Sequence, residues 1–164
     1  MFRELRRKKQ ALPMEICGRI LKDGKTGVLA LAGDGGYPYA VPLNYFYENG
    51  KIYFHCAKSG HKIDAINRCG KASFCVIAED TVVSEKFTTY FKSVIAFGTI
   101  RIVQGDGEKA AIADKLAVKY CPAESEEARK AEIRREFPAL CILEFTVEHM
   151  SGKQAVEFTK NTSL

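Results

Sequence analysis

A chain of 164 residues can bury one real core but not two comfortable ones. Hydrophobic residues at 46% and charged residues at 27% are the composition of an ordinary globular protein, and no apolar run approaches the length of a membrane-spanning helix. The net charge of +5, from 25 Lys and Arg against 20 Asp and Glu, is modest.

Part of that excess comes from Arg3, Arg6, Arg7, Lys8 and Lys9. A run of this kind suits nucleic acid or an anionic membrane, but it is more commonly a solvated terminal helix. The arm is too short and too charged for interfacial insertion, so neither nucleic acid nor membrane is expected as a partner. No apolar core of an export signal follows it, which makes a cytoplasmic location the expectation. The six cysteines, at 17, 56, 69, 75, 121 and 141, form no CxxC pair. Free thiols are expected, with Cys56, Cys75, Cys121 and Cys141 among apolar neighbours. His55, His61 and His149 do not alternate with cysteines at ligand spacing, so no metal is expected.

In chain order, Pro13 can begin a helix that runs to about Leu21, with Ile16, Ile20 and Leu21 on its apolar side. Thr26 to Ala32 is apolar enough for a strand buried on both faces, and Gly33-Asp34-Gly35-Gly36 is a tight turn. The next strand alternates Tyr39, Val41, Leu43, Tyr45 and Tyr47 with Ala40, Pro42, Asn44, Phe46 and Glu48. Both sets carry large groups, so one side packs the core while the other meets a ligand or another subunit. Pro42 lacks a ladder donor, which implies an interruption or a sheet edge. Glu48-Asn49-Gly50 turns the chain into a strand over Lys51 to Cys56, and Lys62 to about Arg68 is helical.

Lys71 to Ala78 is a fourth strand. Glu79 to Thr89 is a rim loop with a short strand at most around Val82 and Val83. Tyr90 to Val103 is a long strand whose Gly98 allows a bend, a bulge or a close backbone approach. A helix opens at Asp106 and carries Ile112, Leu116 and Tyr120 every four residues. Glu124 to Phe137 is a second, mostly solvated helix. Leu140 to Val147 and Gln154 to Phe158 are the last strands. Six or seven strands without long βαβ crossovers fit a mainly β fold, a highly curved antiparallel barrel with peripheral helices.

The polar loop Ser59-Gly60-His61-Lys62 is the best candidate site. Backbone N–H groups at a helix start and the Lys62 ammonium suit a phosphate, although short loops of this composition are often plain turns. His61 could donate to the same phosphate or act on a substrate. The loop is neither a Walker loop nor a dinucleotide fingerprint. His55 and Cys56 are neighbours on one strand, point to opposite faces and cannot form a simple catalytic pair. The tyrosines at 39, 45, 47 and 53 could stack on bases but lack interleaved cations, which favours packing.

Gly27-Val28-Leu29-Ala30, Gly36-Tyr37-Pro38-Tyr39-Ala40-Val41-Pro42-Leu43, Ile52-Tyr53-Phe54-His55-Cys56-Ala57 and Gly60-His61-Lys62 together carry a family likeness. It extends through Val76, Thr88-Thr89-Tyr90, Ser93-Val94 and Ala96-Phe97-Gly98. The order resembles the pyridoxamine 5'-phosphate oxidase-like FMN-binding split-barrel proteins, and among them most the 5-nitroimidazole resistance (Nim) proteins.

The resemblance implies one split-barrel domain over residues 1–164, with a basic arm at 1–12 and a helical insertion at about 107–137. It implies a homodimer with FMN at the interface. Ala40, Val41, Pro42, Leu43 and Asn44 would line the flavin ring, His55 and Ala57 would flank it, and Gly60, His61 and Lys62 would hold the phosphate. Ser93 and Ile95 would approach from the partner subunit's strand. The implied activity is FMN-dependent oxidoreduction of a small organic molecule such as a 5-nitroimidazole, with NAD(P)H as a candidate donor and His61 as the first candidate proton donor. Two alternatives stand beside it: a flavin or haem binding or storage protein with little turnover, and a non-flavin nucleic-acid or regulatory domain using the basic arm.

Overall fold

A computed structural model describes residues 2–159. Its strands are β1 (Thr26–Ala32), β2 (Pro38–Asn44), β3 (Phe46–Glu48), β4 (Lys51–Ala57), β5 (Lys71–Val83), β6 (Thr88–Ile102) and β7 (Leu140–Gln154). The helices are α1 (Met14–Asp23), α2 (His61–Arg68), α3 (Asp106–Tyr120), α4 (Glu126–Glu136) and the short α5 (Val156–Thr159). The strands form one antiparallel sheet in the order β2-β1-β5-β6-β7-β4-β3. Its two edges, β2 and β3, are the two halves of a single stretch of chain joined at Tyr45. The first half pairs with β1 and the second with β4, so the sheet closes on itself as a mainly β split barrel.

Alternation decides what fills the barrel. Leu29 and Leu31 of β1, Ile52 and Phe54 of β4, Phe74 and Val76 of β5, Val94 and Ala96 of β6, and Leu143 and Phe145 of β7 all point inward and are buried. Phe74 meets Tyr45 and Phe54 edge to face, at centroid distances of 4.9 and 5.2 Å. Helix α1 closes one side with Cys17 and Leu21, and α2 contributes Ile63, Ala65 and Ile66. A smaller second core lies outside the barrel, where Ile112, Ala113 and Leu116 of α3 cover Val103 and Ile142.

Several details differ from the sequence-based expectation. Strand β1 is buried on one face only, because Val28 is 37% exposed on the outer side. The long second strand breaks at Tyr45 rather than at Pro42. Pro42 pairs in register with Val28 and is tolerated because β2 is an edge. Asn49 and Gly50 both have positive φ, giving the two-residue turn that matches strand twist between β3 and β4. The expected rim loop is mostly strand: β5 runs on to Val83 and turns through Ser84–Lys86, and β6 begins at Thr88, making a two-stranded arm.

A register shift lies at Phe97/Gly98, and a Cβ on Gly98 would sit 1.9 Å from the Thr146 carbonyl oxygen, so the close backbone approach requires glycine. The two last strands are one, β7, and residues 156–159 are helical instead. The basic arm is not a helix beyond a single 3₁₀ turn at Lys8–Gln10. It runs along β7, with Ala11 bridged to Lys153 and the Phe2 ring stacked 4.7 Å from the His149 ring. Cys121, expected among apolar neighbours, is exposed.

Candidate functional site: the split between β2 and β4

The chain turns away from β1 and onto β4 at Tyr45, so the edges of β2 and β4 diverge from that residue. Only Tyr53, Ile52 and Lys51 of β4 pair with β3. From Phe54 to Ala57 the strand has β7 on one side and no strand on the other. Two rows of unpaired backbone N–H and C=O groups therefore border a wedge with Tyr45 at its apex. Tyr120 of α3 pins the apex: its hydroxyl accepts the Tyr45 N–H at 2.8 Å and lies 2.7 and 2.5 Å from the carbonyl oxygens of Tyr45 and Lys25, to one of which it donates. Lys119 donates to the Gly24 carbonyl at 2.6 Å and sits over the Tyr45 ring at 4.4 Å, and burial holds its pKa below the usual lysine range.

The five residues Ala40 to Asn44 divide by strand alternation. Ala40, Pro42 and Asn44 face outward and are exposed, while Val41 and Leu43 pack on the core and can offer an outside ligand only their backbone. Across the wedge, His55 and Ala57 are also exposed. Helix α2 starts at the far end. Gly60, at φ 117°, opens it with free space beside its Cα, and no side chain caps it. The Gly60 carbonyl takes the N–H groups of Ile63 and Asp64, which leaves those of His61 and Lys62 as first-turn donors. Uncapped N–H groups with a half-buried Lys62 are a donor set that fits a phosphate.

His61 is already engaged. Its ring stacks on Tyr39 at 4.1 Å, and its Nε2 lies 3.4 Å from Asp34, which also holds Arg68 at 2.6 Å. That arrangement links α2 to the turn before β2. Below the helix start, Cys56 faces Cys141 across the β4–β7 ladder. Burial first, then the neighbouring Cys141, pushes the Cys56 thiol up to about 12, which makes it a poor nucleophile.

Ten of the twelve sequence-derived residues, namely Ala40, Val41, Pro42, Leu43, Asn44, His55, Ala57, Gly60, His61 and Lys62, thus surround one wedge. Ser93 and Ile95 do not join them within the chain. Ile95 shares an outer-face row with Cys75, Val28 and Pro42 but stands three strand spacings from Pro42, about 14 Å. That row is apolar and partly exposed: Val28 and Ile95 are each more than a third exposed, as is Phe97 two residues along β6, against which the Phe2 ring rests at 5.8 Å. Elsewhere, an open groove of about 870 Å³ lies between α1 and Ile77, Ala78 and Lys92 of β5 and β6, with Lys9 and Arg19 also lining it.

Sequence reasoning missed Tyr120 and Asp34. Tyr120 stood in the apolar stripe of α3 and read as packing. Asp34 read as a turn residue, and nothing in the chain order brings it to His61.

The sequence profile of the pyridoxamine 5'-phosphate oxidase family matches residues 13–154. No curated protein matches the sequence significantly. Among solved structures, a candidate 5-nitroimidazole antibiotic resistance protein from Bacteroides thetaiotaomicron is 19% identical, with a TM-score of 0.73 over 88% of this chain and 86% of that one. A conserved hypothetical protein, Rv2991, from Mycobacterium tuberculosis superposes with a TM-score of 0.81 at 15% identity, covering 94% and 92%. An FAD and heme binding protein from Mycobacterium smegmatis is 21% identical, with a TM-score of 0.71 over 95% and 80%. At these identities the structures share the fold.

Proposed function

This chain belongs to the pyridoxamine 5'-phosphate oxidase family, and on that premise we propose that it is an FMN-dependent oxidoreductase acting on a small organic acceptor such as a 5-nitroimidazole. The observation that carries the reading is the wedge. It combines exposed edge backbone along Ala40–Asn44, a facing strand with His55 and Ala57, and an uncapped helix start with Lys62, which match in order a flat polar ring and a phosphate. FMN, when bound, supplies the electron-transfer chemistry. The protein's part is to hold and orient it. Backbone groups of β2 meet the ring edge, Pro42 leaves a gap in the donor pattern, and Lys62 with the His61 and Lys62 N–H groups takes the phosphate. Tyr39 and Asp34 keep α2 in place through His61.

The reading includes a homodimer. The apolar outer patch of Val28, Ile95 and the exposed part of Phe97 is the surface a second copy would cover, and Ser93 and Ile95 of that copy would then form the other wall of the flavin site. NAD(P)H is the proposed electron donor.

A second reading, a flavin or haem binding protein with little turnover, is favoured by one observation. His61, the one proton donor named from the sequence, is committed to Asp34 and Tyr39. The similarity to the FAD and heme binding protein from Mycobacterium smegmatis is in keeping with it.

The absorption spectrum of the purified protein after FMN addition tests the main reading. Two flavin bands that stay with the protein through gel filtration are expected. Protein that elutes colourless overturns it, and a Soret band selects haem. Anaerobic oxidation of NADH or NADPH that depends on added 2-methyl-5-nitroimidazole then separates enzyme from carrier.

A further inference from the structure

We propose that the cleft between the α3–α4 hairpin and the outer ends of β2 and β4 is the binding pocket for the acceptor, and that it takes a small, planar, uncharged molecule with hydrogen-bond acceptors along one edge. The inference deepens the oxidoreductase reading and rests on it for the word acceptor, but not for the existence of the site.

The cleft measures about 280 Å³, room for one small ring system rather than a dinucleotide. It exists because α3 presents alanines, Ala113 and Ala117, one turn apart where the opposing helix offers a single apolar group, Ile133. Helix α4 has no fully buried residue and is held to α3 by the Arg129–Asp114 ion pair at 3.5 Å, so it covers the space without filling it. Leu116, Ile133 and Leu140 complete apolar walls suited to a flat hydrophobic body.

The polar groups select what enters. Glu132 and Glu136 at the rim are both paired with Arg135, at 2.5 and 3.1 Å, and the Tyr120 hydroxyl is spent on Tyr45 and Lys25. Asn44 accepts from Thr26 through Oδ1 at 3.3 Å, which leaves its amide N–H groups without a partner among the described residues. His55 likewise has no side-chain hydrogen bond among them. Besides the weakly polar thiol of Cys121, the uncommitted polar groups are the Asn44 amide and the His55 imidazole, both on the strand side. Both can donate, so they call for acceptor atoms such as nitro or carbonyl oxygens on one edge of the ligand. Both side chains are exposed in the free protein, so it is a ligand seated in the cleft that would take them from water, and one lacking such atoms would then leave them unpaired. Asn44 and His55 are also the two residues that flank the wedge next to its apex, so the cleft opens onto the proposed flavin site.

The test is a titration of the full-length protein, with and without saturating FMN, by 2-methyl-5-nitroimidazole, read from the side-chain methyl resonances of Ala113, Leu116, Ala117 and Ile133. Saturable shifts at these methyls are expected. Ala117→Phe, which fills the cleft, should weaken the nitroimidazole at least tenfold while FMN affinity, read by quenching of flavin fluorescence, stays within twofold. Should Ala117→Phe fail to fold, Ile133→Ala on the half-exposed wall should still weaken the probe severalfold. Shifts confined to other parts of the barrel, or unchanged binding in the folded variant, overturn the proposal. If FMN fails to bind but these methyls still shift, the flavin reading falls and the cleft stands. If FMN binds and they do not shift, the cleft falls alone.

Discussion

The inner and outer faces of β2, β1, β5 and β6 are made by the same strands in the same ladder, yet they are apolar for different reasons. Inward, Leu29, Phe74, Val94 and Ala96 are completely buried, and their chemistry is accounted for within one chain. Outward, Val28, Ile95 and Phe97 on the neighbouring register positions keep 37% to 39% of their surface exposed, even though the Phe2 ring rests on Phe97 with centroids 5.8 Å apart. Exposed apolar side chains scattered singly need no explanation, but a row running across a sheet does. The inner face folds the chain; the outer face is where the proposed second copy would dock.

The most severe way to separate the two faces is to cut into the inner one. Phe74 touches Tyr45 and Phe54 at the centre of the core, so Phe74→Ala should cost about 3–5 kcal/mol of folding stability, seen as a lower urea midpoint. A loss under about 1 kcal/mol would mean that the inner face is not what holds the barrel.

On the outer face, Ile95→Lys should leave the monomer's own stability within about 0.5 kcal/mol, read as a urea midpoint at protein concentrations too low for the dimer, because the side chain is already 39% exposed. It should instead convert the proposed dimer to monomer in sedimentation velocity, since burying an unpaired ammonium costs several kcal/mol. A variant that still sediments as a dimer would assign the outer row some other use.

Lys62→Ala probes the wedge rather than either face. Loss of a charged hydrogen bond to the phosphate should weaken FMN by about 1–3 kcal/mol, with folding stability unchanged. Unchanged FMN affinity would remove Lys62 from the phosphate site.

How much of this was legible in the chain order follows from the range of the forces involved. Period-two alternation and the Asn49-Gly50 turn are local, so the strands and the β3–β4 hairpin could be read directly. The run Ala40–Asn44 stood out because both faces carried large groups around a proline. The break at Tyr45 could not be read, since it is set by a hydroxyl 75 residues further on. The extension of β5 to Val83 was hidden by Glu79 and Asp80, which suggest a loop but serve an exposed arm, with Glu79 paired to Lys92 at 3.2 Å. The burial of one face of β1 rather than two was hidden for a different reason. Composition reports that a face is apolar, but not whether its own chain or another covers it.

Tyr120→Phe makes the smallest expected change and tests how the wedge is tied to the helical hairpin. It removes the acceptor of the Tyr45 N–H at the point where the strand has left β1 and not yet joined β4, so no ladder partner can replace it. An unsatisfied buried donor costs about 1–3 kcal/mol, and a site that is only partly buried admits water and belongs at the lower end, near 1 kcal/mol. The loss should be local: amide exchange at Tyr45 should quicken while that of Phe74 and Val94 in the inner face stays slow, which is the pattern of a sub-global opening at the apex. Uniform quickening across the barrel would instead make Tyr120 part of the core, and the wedge would then have no apex that can open independently of the fold.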